Sequence, residues 1–207
     1  KKACPALTAH PFLLLMKVIV IDNYDSFVYN LVEILRKCPN CTFDVVATEH
    51  CPTLPLENYR GILLSPGPGH PEEVKGLMPL IARTVHTHSL LGVCLGHQAL
   101  ALHFGGQLLQ MPHPLHGHAE RLTIKGVEGR TLLEQLPSDS SVGRYHSWCV
   151  AEEPFPNVLE ITATALSDGA IMAFRHKTLP LFGVQFHPES YLSPHGASIV
   201  QSWLAGL

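Results

Sequence analysis

The chain has 207 residues, enough for one well-packed domain. Hydrophobic residues make up 46% of it and charged residues only 15%, which argues against intrinsic disorder, and the formal net charge of -3 argues against a basic surface for nucleic acid or membranes. Six cysteines are too sparse at this length for a secreted disulfide scaffold, so we expect reduced thiols and a cytoplasmic location.

The first fifteen residues combine a basic start with an apolar stretch, as a signal peptide does. Lys17 interrupts the apolar run, however, and no stretch reaches the roughly twenty residues of a membrane span. We therefore expect residues 1–15 to be a leader or a vector-derived segment, followed by a single domain over residues 16–207.

Short β-branched runs alternate with helical segments in the first half of the chain. Val18–Ile21 is a continuous apolar run, typical of a strand buried on both faces of a parallel sheet. Apolar residues at helical spacing follow over 27–35, and Asp25 or Ser26 is available as a cap. Further strands are predicted over 43–47, 61–64 and 90–93, and further helices over 72–85 and 95–104.

The second half has a different pattern. Segments 119–125, 158–165 and 170–175 are predicted to be strands paired as hairpins, for instance across the turn at Ser167–Gly169. An apolar strand over 181–185 and a closing helix over 197–204 complete the pattern. These elements predict one α/β domain with a mixed, mainly parallel sheet flanked by helices and an additional antiparallel segment.

Four residues between the first helix and the third strand could form a small zinc site: Cys38, Cys41, His50 and Cys51. The strand predicted over 42–47 would separate the two pairs, so free cysteines around a helix-to-strand turn are the favoured interpretation.

Cys94 lies at the junction of the fourth strand and the helix after it, within the segment Gly92–Gln98. A sharp turn there would hold the side chain in a strained conformation, and a glycine two residues away on each side leaves room for the backbone. The N-terminus of a helix also favours a thiolate. The pattern predicts a nucleophile; taken alone, it also fits a buried structural cysteine.

Two more motifs follow apolar strands. Ser65–Gly69 is a rigid loop of alternating proline and glycine whose amide groups could bind a carbonyl or an oxyanion, although an ordinary turn has the same pattern. In Gln185–Glu189, His187 could act as a base and Glu189 could orient its imidazole. All three motifs lie at carboxyl ends of strands, where open α/β sheets bind ligands.

Together with Asp22–Phe27 and Arg144–Ser147, these motifs resemble class I glutamine amidotransferases. The resemblance is strongest to the small subunit of anthranilate synthase and to the glutaminase subunit of aminodeoxychorismate synthase. It spans residue 16 to the C-terminus and implies a glutamine amidotransferase domain over 16–207 with a flavodoxin-like fold.

The resemblance also implies a role for particular residues. Cys94 would be the nucleophile, with His187 and Glu189 completing a catalytic triad, and the backbone amides of Gly69 and Leu95 would bind the oxyanion. The residues expected to bind glutamine are Gly67, Pro68, Gly69, Gln98, Ser147 and Trp148.

The implied partner is a chorismate-binding synthase subunit that receives ammonia, with chorismate and magnesium bound on that partner and no cofactor or metal in this chain. Anthranilate synthase, which serves tryptophan biosynthesis, is favoured. Aminodeoxychorismate synthase, on the folate route, or a subunit that serves both remains an alternative. A catalytically idle regulatory module and a cysteine hydrolase are further alternatives, which the intact triad and the proline-glycine loop disfavour.

Two positions depart from the family pattern. His118 stands where a lysine is usual, in a segment that the family implies faces the partner, and Trp148 stands where leucine is frequent. The first departure concerns coupling to the partner, and the second changes the bulk of the glutamine pocket.

Overall fold

A computed structural model describes residues 16–207, so the segment 1–15 discussed above lies outside the described residues. The four α-helices are α1 (Val28–Arg36), α2 (Leu77–Thr84), α3 (Leu95–His103) and α4 (Ala197–Leu204), and short 3-10 helices cover Thr48–Thr53 and Pro71–Glu73. The strands are β1 (Met16–Asp22), β2 (Cys41–Ala47), β3 (Gly61–Leu64), β4 (Ser89–Val93), β5 (Leu108–Gln110), β6 (His118–Ile124), β7 (Ser141–Arg144), β8 (Trp148–Val150), β9 (Leu159–Ala165), β10 (Ile171–His176) and β11 (Leu181–Val184).

Nine strands form one sheet in the order β2-β1-β3-β4-β11-β10-β9-β6-β7, and β5 pairs with β8 in a small separate sheet. The pairings from β2 to β11 are parallel. Those from β11 to β7, and the pairing of β5 with β8, are antiparallel. The predicted mixed sheet with an antiparallel segment is confirmed, including the hairpin that joins β9 to β10.

Helices cover both faces of the parallel part of the sheet. Along β1, Val18 and Val20 belong to an apolar cluster that includes residues of α1 and α4, whereas Ile19 and Ile21 belong to a second cluster with α2 and α3. Because side chains alternate between the faces of a strand, a strand covered on both sides must be apolar throughout. This explains the uninterrupted apolar runs of β1, β3 and β4.

The helix predicted over 72–85 is wrong in its first half. A 3-10 turn covers Pro71–Glu73, and α2 begins only after Gly76, which has a φ of +93°. A side chain at Gly76 would place its Cβ 2.8 Å from the carbonyl oxygen of Thr48, so close packing against a neighbouring segment sets this break. The cap predicted for α1 is wrong: Phe27 is the N-cap residue and the helix has no side-chain cap, while Asp25 accepts the amide N–H of Phe27 at 2.7 Å in the turn before the helix.

Within residues 16–207, no helix combines the length and the apolar character needed to cross a membrane.

Candidate active site at the carboxyl edge of the sheet

Cys94 is the N-cap residue of α3 and has a φ of +49° and a ψ of −99°. A positive φ is costly for a residue with a side chain and needs support from its surroundings. Gly92 and Gly96 allow the turn because neither tolerates a Cβ: at Gly92 it would lie 2.5 Å from the carbonyl of Gly96, and at Gly96 it would lie 2.5 Å from the carbonyl oxygen of Leu64. The two glycines therefore let the strand and helix pack closely enough to hold the strained cysteine.

The Cys94 side chain is nearly buried, with 5% of the residue exposed. Its amide N–H donates to the carbonyl oxygen of Val184 on the neighbouring strand β11 at 2.8 Å. The side-chain nitrogen of Gln185, the residue directly after β11, lies 3.6 Å from the Cys94 sulfur. The turn after β4 and the end of β11 thus surround one sulfur atom.

His187 and Glu189 follow β11 and are both buried, with imidazole Nδ1 2.8 Å from Glu189 Oε1. The backbone N–H of His187 donates to Gly143 on β7 at 2.9 Å. Its Nε2 is buried and has no hydrogen-bond partner among the described residues. Nδ1 is therefore held by a carboxylate while Nε2 stays available for proton transfer.

Charges around the imidazole favour its protonated form. Burial lowers the pKa of His187, but attraction to the nearby Cys94 sulfur and to the Glu189 carboxylate outweighs burial and raises that pKa above its usual range. The rings of Phe27 and Tyr145 pack near it, with centroids 5.3 and 5.0 Å from the imidazole centroid. The site therefore places a sulfur beside an imidazole that favours its cationic form.

The loop Ser65–Gly69 is anchored by Asn23, the residue after β1. Asn23 donates from its backbone N–H to Ser65 Oγ at 2.9 Å and from Nδ2 to the carbonyl oxygen of Ser65 at 2.8 Å. Its Oδ1 accepts a hydrogen bond from Thr48 Oγ1 at 2.6 Å. The polar residues after β1 thus support the loop.

The same loop contacts the turn at Cys94. A Cβ on Gly67 would lie 2.7 Å from the Leu95 side chain, so this glycine allows the loop to approach α3. Pro68 and Gly69 are exposed, and Gly69 has a φ of +77°. The loop and the first turn of α3 are therefore neighbours, and the oxyanion role of Gly69 and Leu95 stays a prediction.

Gln98 lies in α3 and contacts the start of β8, where Ser147 and Trp148 are found. Gln98 Nε2 donates to the carbonyl oxygen of Trp148 at 2.8 Å, and the carbonyl oxygen of Ser147 accepts the amide N–H of Met111 at 2.8 Å. The Trp148 ring packs edge-on against His70, which follows the proline-glycine loop, at a centroid distance of 5.2 Å. The predicted pocket residues therefore line two segments that meet at α3, and their contacts with glutamine stay predictions.

Sequence reasoning assigned no role to several residues around this site. Gln185 contacts the Cys94 sulfur. The signal in the sequence is its spacing of two residues from His187, which puts Gln185 and His187 on the same face of an extended segment. Ser193 Oγ accepts the N–H of Gly143 and donates to the carbonyl oxygen of His187 at 2.6 Å. Arg144 is fully buried beside Glu120, an arrangement with no signal in the local sequence.

In the described part of the chain, no cluster of three or more histidine, cysteine or acidic residues has a geometry that could hold a metal ion. Cys38 and Cys41 are free, partly exposed thiols, and Cys51 is a buried free thiol.

Comparison with known proteins identifies the family. The family model described as glutamine amidotransferase class-I matches residues 19–207. This chain belongs to the class I glutamine amidotransferase family. The amidotransferase is 42% identical over 193 residues to anthranilate synthase component 2 of Azospirillum brasilense, covering 90% of this chain and 94% of that protein.

Two further relatives extend the comparison. Aminodeoxychorismate synthase of Streptomyces griseus is 40% identical over 193 residues, which cover 91% of the amidotransferase but only 26% of that longer protein. A solved structure of a glutamine amidotransferase from Thermotoga maritima superposes with a TM-score of 0.73 at 21% identity, covering 93% of this chain and 82% of that chain. The structural match supports the fold of the amidotransferase.

Proposed function

We propose that this amidotransferase is the glutaminase subunit of a chorismate-using synthase, most specifically of anthranilate synthase in tryptophan biosynthesis. The observation that carries the chemistry is the convergence of Cys94 with the His187–Glu189 pair, whose Nδ1–Oε1 distance is 2.8 Å. The pathway rests on relatives such as anthranilate synthase component 2, which aligns along nearly its whole length.

In the proposed reaction, the Cys94 thiolate attacks the side-chain carbonyl carbon of glutamine, and the amides of Gly69 and Leu95 stabilise the oxyanion. The carbon–nitrogen bond then breaks as His187 Nε2 gives its proton to the departing ammonia. A glutamyl thioester remains on Cys94. Water attacks this thioester with His187 acting as the base, glutamate leaves, and the imidazolium forms again. Glu189 holds the imidazole and stabilises its charged form throughout.

Gly67, Pro68, Gln98, Ser147 and Trp148 would orient the glutamine. Its charged α-groups would be bound largely by dipoles and backbone groups, which the proline-glycine loop and the segment after β7 can supply.

Ammonia released into water would be protonated and lost as a nucleophile, so the reaction is useful only beside an acceptor site. The acceptor would be a synthase subunit that binds chorismate and Mg²⁺. The five described cysteines are free thiols, which supports a reducing, cytoplasmic setting for this assembly. Aminodeoxychorismate synthase is the second candidate partner, because its relative aligns with most of this chain at 40% identity.

Labelling with a glutamine analogue that carries a reactive diazo-ketone tests the chemistry. We expect a single adduct at Cys94 by peptide mass spectrometry, competed away by glutamine. Labelling of a different cysteine, or no labelling with either synthase subunit present, would overturn the proposal.

The variant Cys94→Ser separates glutamine hydrolysis from synthesis. With the correct partner it should abolish product formation from glutamine and retain product formation from added ammonium, because the partner's site does not need the thiol. Assaying anthranilate and aminodeoxychorismate with each large subunit distinguishes the two candidate partners: the subunit that gains glutamine-dependent activity is the partner.

A further inference from the structure

Gln185 is completely buried and lies between Cys94 and Gln98. Its Nε2 is 3.6 Å from the Cys94 sulfur, and its Oε1 is 3.1 Å from Gln98 Nε2. We propose that Gln185 is a further residue of the catalytic site, whose side-chain N–H donates a hydrogen bond to the Cys94 thiolate and stabilises the nucleophile. This inference rests on the proposed role of Cys94.

The orientation of the Gln185 amide matters, because this group could present either its NH₂ donor or its carbonyl acceptor to the sulfur. Neighbouring groups decide the orientation, starting from Arg144. A guanidinium has only donors, and Arg144 Nε lies 3.1 Å from His146 Nε2. That ring nitrogen must therefore accept, so the proton of the neutral imidazole is on Nδ1. Nδ1 lies 2.9 Å from the carbonyl oxygen of Trp148 and donates to it.

The neutral state of His146 agrees with its surroundings. Burial and the positive charge of Arg144 lower the pKa of His146 to about 4. Arg144 is itself held by Glu120 Oε2 at 3.0 Å and by Asp168 Oδ2 at 2.9 Å. Because a guanidinium keeps its charge at all ordinary pH values, Arg144 can only be the donor in its hydrogen bond with His146.

The hydrogen bonds of Gln98 decide which end of the Gln185 amide faces the sulfur. The carbonyl oxygen of Trp148 can only accept, so the Gln98 atom at 2.8 Å from it must be the NH₂ group. The same NH₂ group donates its second hydrogen to Gln185, which must then present Oε1 to it. The remaining end of the Gln185 amide, Nε2, faces Cys94. The backbone carbonyl of Trp148, acting through Gln98, thus fixes a donor against the sulfur.

A hydrogen bond to the charged form of a group favours that form. The thiolate would be stabilised on one side by the His187 imidazolium and on another by the Gln185 N–H. The Gln185 donor is neutral and takes no part in proton transfer, so it would stabilise the thiolate both before it attacks glutamine and after glutamate leaves.

The test measures alkylation of Cys94 by chloroacetamide as a function of pH, with the modified residue identified by mass spectrometry. Gln185→Met keeps the length of the side chain and removes the donor. We expect the midpoint of the pH profile to rise by about one unit, so that alkylation at a pH below the midpoint becomes about tenfold slower. A purely structural role would change stability and leave the midpoint where it is.

Two more variants sharpen the result. Gln185→Glu keeps the shape and the acceptor for Gln98 but turns a carboxylate oxygen towards the sulfur, so its midpoint should rise further; it also serves if the methionine variant does not fold. Gln201→Met, on the exposed side of α4, is the matched control and should leave the profile unchanged.

The outcomes separate this inference from the proposed function. If Cys94 of the unaltered protein reacts no faster than the other thiols, the role of Cys94 as nucleophile fails, and this inference fails with it. If Cys94 reacts selectively but folded Gln185 variants keep the original midpoint, only the role of Gln185 is overturned.

Discussion

At the scale of single residues, the strained conformation of Cys94 depends on glycines that have no tolerance for a side chain. The carbonyl of Gly96 blocks a Cβ on Gly92, and the carbonyl oxygen of Leu64 blocks a Cβ on Gly96. In both cases the obstacle is backbone, which cannot move aside as the end of a flexible side chain can. The geometry of Cys94 is therefore coupled to the packing of α3 against β3 and β4.

We expect Gly92→Ala to destabilise the protein by about 1–3 kcal/mol, as overpacking of a close contact does, and to displace Cys94 from its partners. Urea unfolding would measure the first effect and glutaminase activity the second. Gly126→Ala is the control, because Gly126 has open space around its Cβ position and should be close to neutral. Equal stability of the two variants would contradict the argument.

At the scale of elements, Asn23 ties together the end of β1, the loop after β3 and the 3-10 helix at Thr48–Thr53. It bonds to Ser65 through two donors and to Thr48 through its side-chain oxygen. The position of the proline-glycine loop, Ser65–Gly69, is thus set by the buried amide of Asn23.

Asn23→Asp keeps the shape of this side chain and removes the N–H that donates to the Ser65 carbonyl oxygen. We expect a loss of stability of about 1–3 kcal/mol, because a buried carbonyl loses its partner and a carboxylate oxygen replaces the donor. The kcat/KM for glutamine should also fall about tenfold as the loop loses its position. Asn30→Asp, on the exposed side of α1, makes the same change of charge and should affect neither measurement.

Several elements could be predicted from their own residues, and others could not. Strands β1, β3, β4 and β11 are buried on both faces, so their apolar runs indicate them directly. Strands β5, β7 and β8 were missed because they have only three or four residues and no regular alternation. The break before α2 depends on Gly76 approaching Thr48, a contact between segments that the helical spacing of the residues cannot indicate.

The same division applies to the candidate site. Cys94, His187 and Glu189 stand in motifs that each follow a strand, so their position at the carboxyl edge of the sheet was predictable, and their catalytic roles stay a prediction. The contact of Gln185 with Cys94 spans 91 positions of the chain, and the orientation of the Gln185 amide depends on Gln98 and on the carbonyl oxygen of Trp148. Such a chain of hydrogen bonds exists only after the strands have been placed side by side.

At the scale of the whole molecule, stability depends on a histidine that folding keeps neutral. His97 is fully buried, and its ring packs on Phe174 at a centroid distance of 4.4 Å. Burial lowers its pKa to about 3. In the unfolded chain the imidazole takes up a proton as the pH falls through about 6.5, whereas the folded protein leaves it neutral until the pH approaches 3. The unfolded state is therefore favoured as the pH drops from about 6.5 towards 3.

Replacing the histidine isolates this effect. The free energies of unfolding of His97→Leu and of the unaltered protein are measured in urea at pH 7.5 and at pH 5.5. We expect the value for the variant minus the value for the unaltered protein to be larger at pH 5.5 by about 1.3 kcal/mol. Taking this difference cancels the contributions of all other titrating groups. His113→Leu, at an exposed position, is the control. A difference that does not change with pH would show that His97 takes up a proton as readily in the folded protein as in the unfolded chain.

The position of β11 has a consequence for the integrity of the candidate site. This strand is the last of the sheet in chain order, yet it lies between β4 and β10 and joins the parallel and antiparallel parts. Until it inserts, β4 has an open edge, and the two parts of the sheet are not connected. His187 and Glu189 follow β11, so a chain in which β11 had not joined the sheet would have Cys94 in its turn without these two residues beside it. Contact between the Cys94 thiol and the His187–Glu189 pair therefore requires that β11 is in place between β4 and β10.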